Sequence, residues 1–106
     1  MKRKFCVIDF EFYGTSDEEL QLVCCSYRTS DLRFVGDIWL HYSAVGQDRL
    51  ADTLEEIRDN NYVFLAHNVV AEARSIYSLG LDPTGFKWID TFAEWRCLTN
   101  HNHNYQ

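Results

Sequence analysis

Two acidic side chains, Asp9 and Glu11, stand close together near the start of the chain, in the segment IDFEF at residues 8–12. The apolar and aromatic residues around them predict a strand, and residues i and i+2 of a strand project from the same face. Two carboxylates held that close repel each other unless a cation binds between them. Mg²⁺ and Mn²⁺ favour such oxygen ligands, and a pair of these ions can hydrolyse a phosphodiester by activating water. The alternative is an exposed strand face with two solvated acids.

A second polar group follows a short apolar run later in the chain, in the segment AHNVVAE at residues 66–72. Asn68 is a favourable helix N-cap, and Glu72 lies about one helical turn beyond it. A carboxylate at this place sits near the carboxyl edge of a sheet, where ligand sites of α/β proteins collect. The alternative is a capped surface helix that carries an ordinary glutamate.

The elements that must position these residues can be predicted from hydrophobic periodicity. Apolar runs rich in β-branched and aromatic residues predict strands, and apolar spacings of three and four predict amphipathic helices. The predicted strands are 5–12, 20–28, 32–40, 62–66 and 86–89, and the predicted helices are 47–59, 69–79 and 91–98. This β-β-β-α-β-α-β-α order predicts an α/β domain, with three antiparallel strands and then α/β units in one mixed sheet, and with helices packed on its faces. We expect one domain over residues 1–106, with a frayed or cut end at 100–106.

Composition narrows the possible classes of protein. The chain has 106 residues, of which 46% are apolar and 15% aromatic. These fractions are high enough to form a hydrophobic core, and they argue against a disordered chain. Its net charge of −6 argues against a stand-alone DNA-binding protein, which is usually basic, unless divalent cations or a larger protein supply positive charge. The four cysteines form no CxxC pair, and we expect them to be reduced and to fill the core. No run approaches the roughly 20 apolar residues of a membrane span, and no signal peptide is recognisable, so we expect a cytoplasmic protein without a membrane partner.

Three segments, in order, resemble a known family. Asp9-Phe10-Glu11 resembles the first motif of the DEDD (DnaQ-like) 3′–5′ exonucleases, and FLAHN at residues 64–68 followed by Glu72 resembles the second. Ile89-Asp90-Thr91 resembles the segment that follows in proofreading domains of DNA polymerases, including those of phages. The family has a ribonuclease H-like fold, whose β-β-β-α-β order matches the predicted one. The resemblance implies a proofreading domain that removes 3′-terminal nucleotides with Mg²⁺ or Mn²⁺.

The resemblance also implies a role for each matching residue. Asp9 would bind both metal ions and Glu11 one of them, and Glu11 would help to orient the attacking water or the terminal 3′-hydroxyl. Glu72 would take the place of the second motif's aspartate. The residues expected to touch the substrate are Phe10, Phe12, His67 and Asn68. The implied partners are the 3′ end of single-stranded DNA and the remainder of a polymerase or exonuclease chain, in the host cytoplasm if a phage encodes it.

The chain departs from the family pattern in three ways. Position 72 is Glu rather than Asp, and Ala71 stands where the family has an aromatic residue. The third motif, a Tyr or His followed four residues later by Asp, does not occur after Glu72, so we expect the chain to stop before it. These departures keep two alternatives open: a non-catalytic ribonuclease H-like module that binds nucleic acid or a protein, and an acidic α/β domain of unrelated function.

Three weaker signals have ordinary structural explanations. Asp90 is predicted to be a cap or turn residue rather than a catalytic one. The tryptophans and tyrosines either stack on nucleobases or pack in the core. A zinc site built from Cys97, His101 and His103 would lack the usual four ligands at paired spacing.

Overall fold

The computed structural model describes residues 3–14 and 20–92. Over these residues three strands come first, and two helices then alternate with two further strands, which confirms the predicted order. The elements are β1 (Phe5–Tyr13), β2 (Gln21–Thr29), β3 (Val35–Trp39), α1 (Ala44–Asp59), β4 (Val63–Ala66), α2 (Val69–Ser78) and β5 (Lys87–Asp90). Residues 91 and 92 are helical, as expected for the start of the third helix. The rest of that helix and the tail 100–106 lie outside the described residues.

The five strands form one sheet in the order β3-β2-β1-β4-β5. β2 pairs antiparallel with both β1 and β3, whereas β4 is parallel to β1 and β5 is parallel to β4. The chain is therefore α/β with the predicted mixed sheet. This strand order is compatible with the ribonuclease H-like fold that the resemblance implies.

Most element boundaries lie within one residue of the prediction, and two differ by three residues because polar side chains satisfy backbone groups there. Helix α1 begins at Ala44, three residues early, because the side chain of Ser43 accepts a hydrogen bond from the Gly46 N–H as an N-cap. Strand β3 begins at Val35, three residues late, because Asp31 organises the preceding turn. Its carboxylate accepts hydrogen bonds from the Thr29 hydroxyl and the Arg33 N–H. Such local side-chain contacts compete with a strand for the backbone.

Both described helices pack on the same face of the sheet. The connections β3-α1-β4 and β4-α2-β5 cross the sheet in the same direction, and right-handed crossovers then place both helices on one side. On β1, Cys6, Ile8 and Phe10 are buried and alternate with exposed neighbours, and they share one core with Leu54 of α1 and Ile76 of α2. The expected helices on both faces are thus not seen among residues 3–14 and 20–92, since the opposite face, called the open face below, carries neither helix.

The cysteines that the structure describes are free thiols, as expected. Cys6 and Cys25 are free thiols buried in the core, and burial raises the pKa of Cys6 to about 12. Cys24 is free and half-buried, and Cys97 lies outside the described residues. In the part of the chain that is described, no helix is both long enough and apolar enough to cross a bilayer.

Leu54 provides a test of this one-sided core. Its side chain is fully buried, so we expect Leu54→Ala to lower the unfolding free energy by about 2–5 kcal/mol through lost burial and a residual cavity. Val45, on the same helix, is 70% exposed, and Val45→Ala is expected to change it by less than about 0.5 kcal/mol. Urea unfolding followed by circular dichroism measures both. Equal effects of the two substitutions would contradict the assigned helix face.

Candidate active site

Asp9 and Glu11 lie on the open face of β1. Both are exposed, while Ile8 and Phe10 between and beside them are buried, so the predicted alternation is confirmed. The strand pairing sets Asp9 in a row with Ser26 of β2 and Asp37 of β3, because each is the register partner of the next. Residues paired in this way share one face of a sheet. The open face is therefore acidic around Asp9.

Glu72 occupies a gap beside β1. β4 pairs with β1 only as far as Val7, and β4 ends at Ala66, so the later part of β1 has no strand partner on that side among the described residues. There a Glu72 Oε2 atom accepts a hydrogen bond from the Phe10 N–H at 3.1 Å. A buried N–H without a partner is costly, so this bond stabilises both the strand and the position of the carboxylate. The contact brings the side chain of the second segment to the strand that carries Asp9 and Glu11.

The environment of Glu72 disfavours its charged form. Its side chain is only 5% exposed, and this burial is the main reason that its pKa is raised from 4.5 to about 7. The hydrogen bond from Phe10 lowers the pKa and offsets part of the effect of burial, and the negative charges of Asp9 and Glu11 raise the pKa by smaller amounts. The three carboxylates are thus close enough to influence one another electrostatically. A cation among them would relieve the repulsion, and their oxygen atoms suit Mg²⁺ or Mn²⁺.

The start of α2 is anchored from two sides. The Asn68 side chain accepts a hydrogen bond from the Ala71 N–H at 3.4 Å, which confirms it as the N-cap. Asp90, at the end of β5, accepts hydrogen bonds from the Val69 N–H at 3.1 Å and from the Phe92 N–H at 3.0 Å. Asp90 therefore caps helical N–H groups, as predicted. These contacts fix the helical turn that carries Glu72.

The four residues expected to touch substrate have different surroundings. Phe10 is 4% exposed and belongs to the core, so a substrate could meet its backbone but not its ring. Phe12 is partly buried and packs against the same core. Asn68 and His67 are exposed, and His67 lies with its Nδ1 atom 3.3 Å from the Thr91 hydroxyl. Only the second segment therefore offers side chains of this group to solvent.

The carboxylates do not form a preassembled metal cage. Within residues 3–14 and 20–92, no group of three or more His, Cys, Asp or Glu side chains is arranged to hold a metal ion. Asp9 and Glu11 approach from the open face, and Glu72 approaches from the gap beside β1. A cation would have to draw these side chains together. The donor chemistry fits a magnesium-type ion, and the present arrangement is an open one.

Three further polar residues lie near Asp9, and the sequence alone does not predict that they belong to the site. A shallow depression of about 280 Å³ on the open face is lined by Asp9, Ser26, Arg28 and Asp37 among others. The Ser26 hydroxyl donates a hydrogen bond to Asp37, and Arg28 is exposed two residues away. The alternation of buried and exposed residues along β2 and β3 could have predicted which face of the sheet these three residues occupy. Only the pairing register of the strands places them beside Asp9. The zinc-type residues Cys97, His101 and His103 lie outside the described residues.

The raised pKa of Glu72 predicts a pH dependence of stability. The folded protein keeps the Glu72 proton up to about pH 7, whereas the unfolded chain loses it near pH 4.5. The contribution of Glu72 to the unfolding free energy is therefore greatest below pH 4.5. As the pH rises from 4.5 to 7, the unfolding free energy falls by on the order of 1–3 kcal/mol. We expect Glu72→Gln to remove this loss and to exceed the wild type in stability at pH 8. Urea unfolding across this pH range measures both proteins.

Glu56→Gln is the matched control for that titration. Glu56 lies exposed on α1, an element that carries none of the three carboxylates of the site, and the substitution removes the same charge there. Its stability should follow the wild-type curve as pH changes. If Glu72→Gln and wild type instead run parallel from pH 4.5 to pH 8, the buried environment assigned to Glu72 is wrong.

Comparison with known proteins adds no assignment to this geometry. No family model, no curated protein and no solved structure matches the chain. The function of the site is therefore argued from its own residues: two exposed acids on β1 and a buried glutamate that reaches the same strand.

Proposed function

We propose that the chain carries the metal site of a 3′–5′ exonuclease of the proofreading type, with Asp9, Glu11 and Glu72 as the metal-binding carboxylates. The observation that carries the proposal is the hydrogen bond from the Phe10 N–H to Glu72. It ties the two segments that resemble the family's first and second motifs to one strand, across 62 positions of sequence. The hydrogen bond gives Glu72 a structural role, but burying a glutamate beside two other acids is electrostatically unfavourable, which supports a further, cation-binding role.

The proposed roles follow from the accessibility of each carboxylate. Bound Mg²⁺ or Mn²⁺ would supply a Lewis acid and an activated water for phosphodiester hydrolysis. Asp9 is exposed at the middle of the open face and would be the shared ligand of two ions. Glu11 would bind one ion and orient the attacking water or the 3′-hydroxyl. Glu72, held at the strand by Phe10, would ligate from the other side once its proton has left.

The acidic surface shapes how a DNA end would approach. Asp9, Glu11 and Asp37 would repel phosphates, so divalent cations would be needed before a strand could bind productively. Arg28, exposed beside Asp9, would offer one positive charge to a phosphate. The partner would be a single-stranded 3′ end, with the rest of a polymerase or exonuclease chain supplying further contacts.

A second candidate is a ribonuclease H-like module that binds nucleic acid or protein without cleaving it. Two observations favour it. Position 72 is Glu where the family's second motif has Asp, and the three carboxylates are not preassembled around one point among the described residues. Two-metal hydrolysis depends on a full and well-positioned ligand set. Asp9-dependent metal binding without cleavage would fit either candidate, whereas metal binding that does not depend on Asp9 would exclude the first.

Calorimetric titration with Mn²⁺ tests the proposed site. We expect the wild type to bind Mn²⁺ at pH 8, and Asp9→Asn to weaken the affinity at least about tenfold, because a charged ligand becomes neutral. Asp52→Asn removes an exposed acid on α1 and should bind like the wild type. Wild-type affinity should fall at pH 6, since the Glu72 proton then competes with the metal. Equal binding by wild type and Asp9→Asn would refute the proposed site.

Hydrolysis of single-stranded DNA in Mn²⁺ gives the companion measurement. We expect the chain to remove nucleotides slowly or not at all from a 5′-labelled strand, since the third motif's residues are absent from these 106 positions. Any shortening should proceed from the 3′ end and disappear in Asp9→Asn. Strong cleavage that survives this substitution would contradict the assigned role of Asp9.

A further inference from the structure

Four ring side chains form an exposed cluster at the end of β1 and β3. The aromatic cluster consists of Tyr13, Trp39, His41 and Tyr42. Three of its members are large and exposed, at 50% for Tyr13, 60% for Trp39 and 90% for Tyr42. Exposed aromatic rings in a group are unusual on a soluble protein and commonly mark a binding surface. None of these residues belongs to the carboxylate site described above.

Hydrogen bonds hold the aromatic cluster in a defined arrangement. His41 lies at its centre, and its Nε2 atom is joined to the Tyr13 hydroxyl at 2.7 Å. The Trp39 indole N–H donates to the His41 carbonyl at 2.9 Å. The Tyr42 ring lies over the imidazole with 4.1 Å between ring centroids. The polar atoms of Tyr13 and Trp39 are thus bonded within the cluster, which holds both rings in a defined arrangement while each stays at least half exposed.

The backbone beneath the cluster departs from regular geometry in two places. The pairing register of β1 with β2 shifts between Glu11 and Phe12, so β2 contains a β-bulge around Val23. The Val23 carbonyl accepts hydrogen bonds from the N–H groups of Leu40 and His41, which anchors the end of β3. Bulges of this kind re-aim side chains beside functional sites.

Tyr42 adopts a backbone conformation that suits glycine better. The Ser43 N–H donates to the Leu40 carbonyl, which closes a four-residue turn with Tyr42 in its third position. Tyr42 has a φ of 53° there, where glycine or asparagine is the usual residue. Such strain is typically retained where the side chain serves a function. The strained residue, Tyr42, carries the most exposed ring of the cluster.

The cluster adjoins the proposed metal site on the same face of the sheet. Glu11 is the register partner of Cys24, and Cys24 is the partner of Trp39, so Glu11 and Trp39 stand in one row two strands apart. Two strand spacings correspond to about 10 Å. Tyr13 is two residues beyond Glu11 on β1 and also faces outward. A strand whose terminal phosphate lay at Glu11 would thus have a base within reach of these rings.

Charge favours bases over phosphates as the ligand of the cluster. Asp9, Glu11 and Asp37 make this face acidic, so an electrostatic track for a nucleic-acid backbone is not present here. Stacking on a ring needs no positive charge and accepts any base. The rings therefore complement the part of a single strand that the carboxylates do not repel.

We propose that the aromatic cluster is a stacking site for unpaired nucleobases of single-stranded DNA. The inference extends the proposed exonuclease function by giving it a surface that grips bases near the 3′ end. It also accounts for a strained tyrosine and a set of exposed rings that the metal site alone does not require.

The test compares two fluorescein-labelled strands that carry the same phosphates. One is an oligothymidylate of about ten nucleotides, within the usual site size for single-strand binders, and the other has abasic residues throughout. Fluorescence anisotropy at about 0.5 M NaCl with a metal chelator measures both affinities, because this salt screens the repulsion between the acids and the phosphates. Neither cleavage nor the metal site then contributes. Because repulsion from the acids is the same for both probes, the affinity ratio isolates the contribution of the bases. We expect the oligothymidylate to bind roughly tenfold more tightly to the wild type.

Tyr42→Gly is the decisive variant, because glycine relieves the positive φ while removing the ring. We expect unchanged or increased thermal stability together with an affinity ratio close to one. Trp39→Leu should lower the ratio as well, and Tyr77→Ala, which removes a 74% exposed tyrosine on α2, should leave it unchanged. A wild-type ratio near one would overturn the proposal and favour a protein partner for the cluster. A high ratio in a chain without Asp9-dependent Mn²⁺ binding would support the stacking site while refuting the proposed exonuclease function.

Discussion

The early end of β4 is the constraint on which the candidate site depends. β4 stops at Ala66, and its pairing with β1 ends at Val7, so the Phe10 N–H needs an acceptor other than β4. The Glu72 carboxylate is that acceptor, but in this position it is buried and lies close to two other acids. The resulting carboxylate is structurally useful and electrostatically unfavourable at once. A group in this condition is a functional candidate for a stated physical reason, since it stays protonated up to about pH 7 unless a nearby cation stabilises its charged form.

The one-sided sheet explains why the acids and the aromatic rings are accessible. α1 and α2 cover one face and bury alternate residues of β1, and the same alternation directs Asp9, Glu11 and Tyr13 to the open face. Register then aligns these residues with Ser26, Asp37 and Trp39 on the neighbouring strands. The proposed metal ligands and the proposed stacking site are consequently neighbours on one surface. Their complementary chemistry, cations for phosphates and rings for bases, is consistent with a single strand as the shared ligand.

Local polar contacts decide details that matter for this surface. Asn68 and Asp90 fix the first turn of α2 and thereby the direction of Glu72. The bulge at Val23 and the turn at Tyr42 set the outer rim of the aromatic cluster. Each of these contacts satisfies backbone groups that a regular helix or strand would leave unpaired at its end. The irregular positions of the fold are therefore the ones that shape the candidate sites.

The sequence by itself determined the order of the elements, the facing of Asp9 and Glu11, and the caps at Asn68 and Asp90, because these follow from local periodicity and local hydrogen bonding. Sequence could also suggest that Glu72 belongs with Asp9, through the resemblance of two short segments. Only the tertiary structure decided that Glu72 is buried at the Phe10 N–H, that both described helices lie on one face, and that Trp39 stands in the row of Glu11. Those outcomes depend on where β4 stops and on strand register, which arise from pairings between distant parts of the chain. Phe10 shows the difference most clearly: its place in the motif suggested a substrate contact, and packing against α1 and α2 made it a core residue.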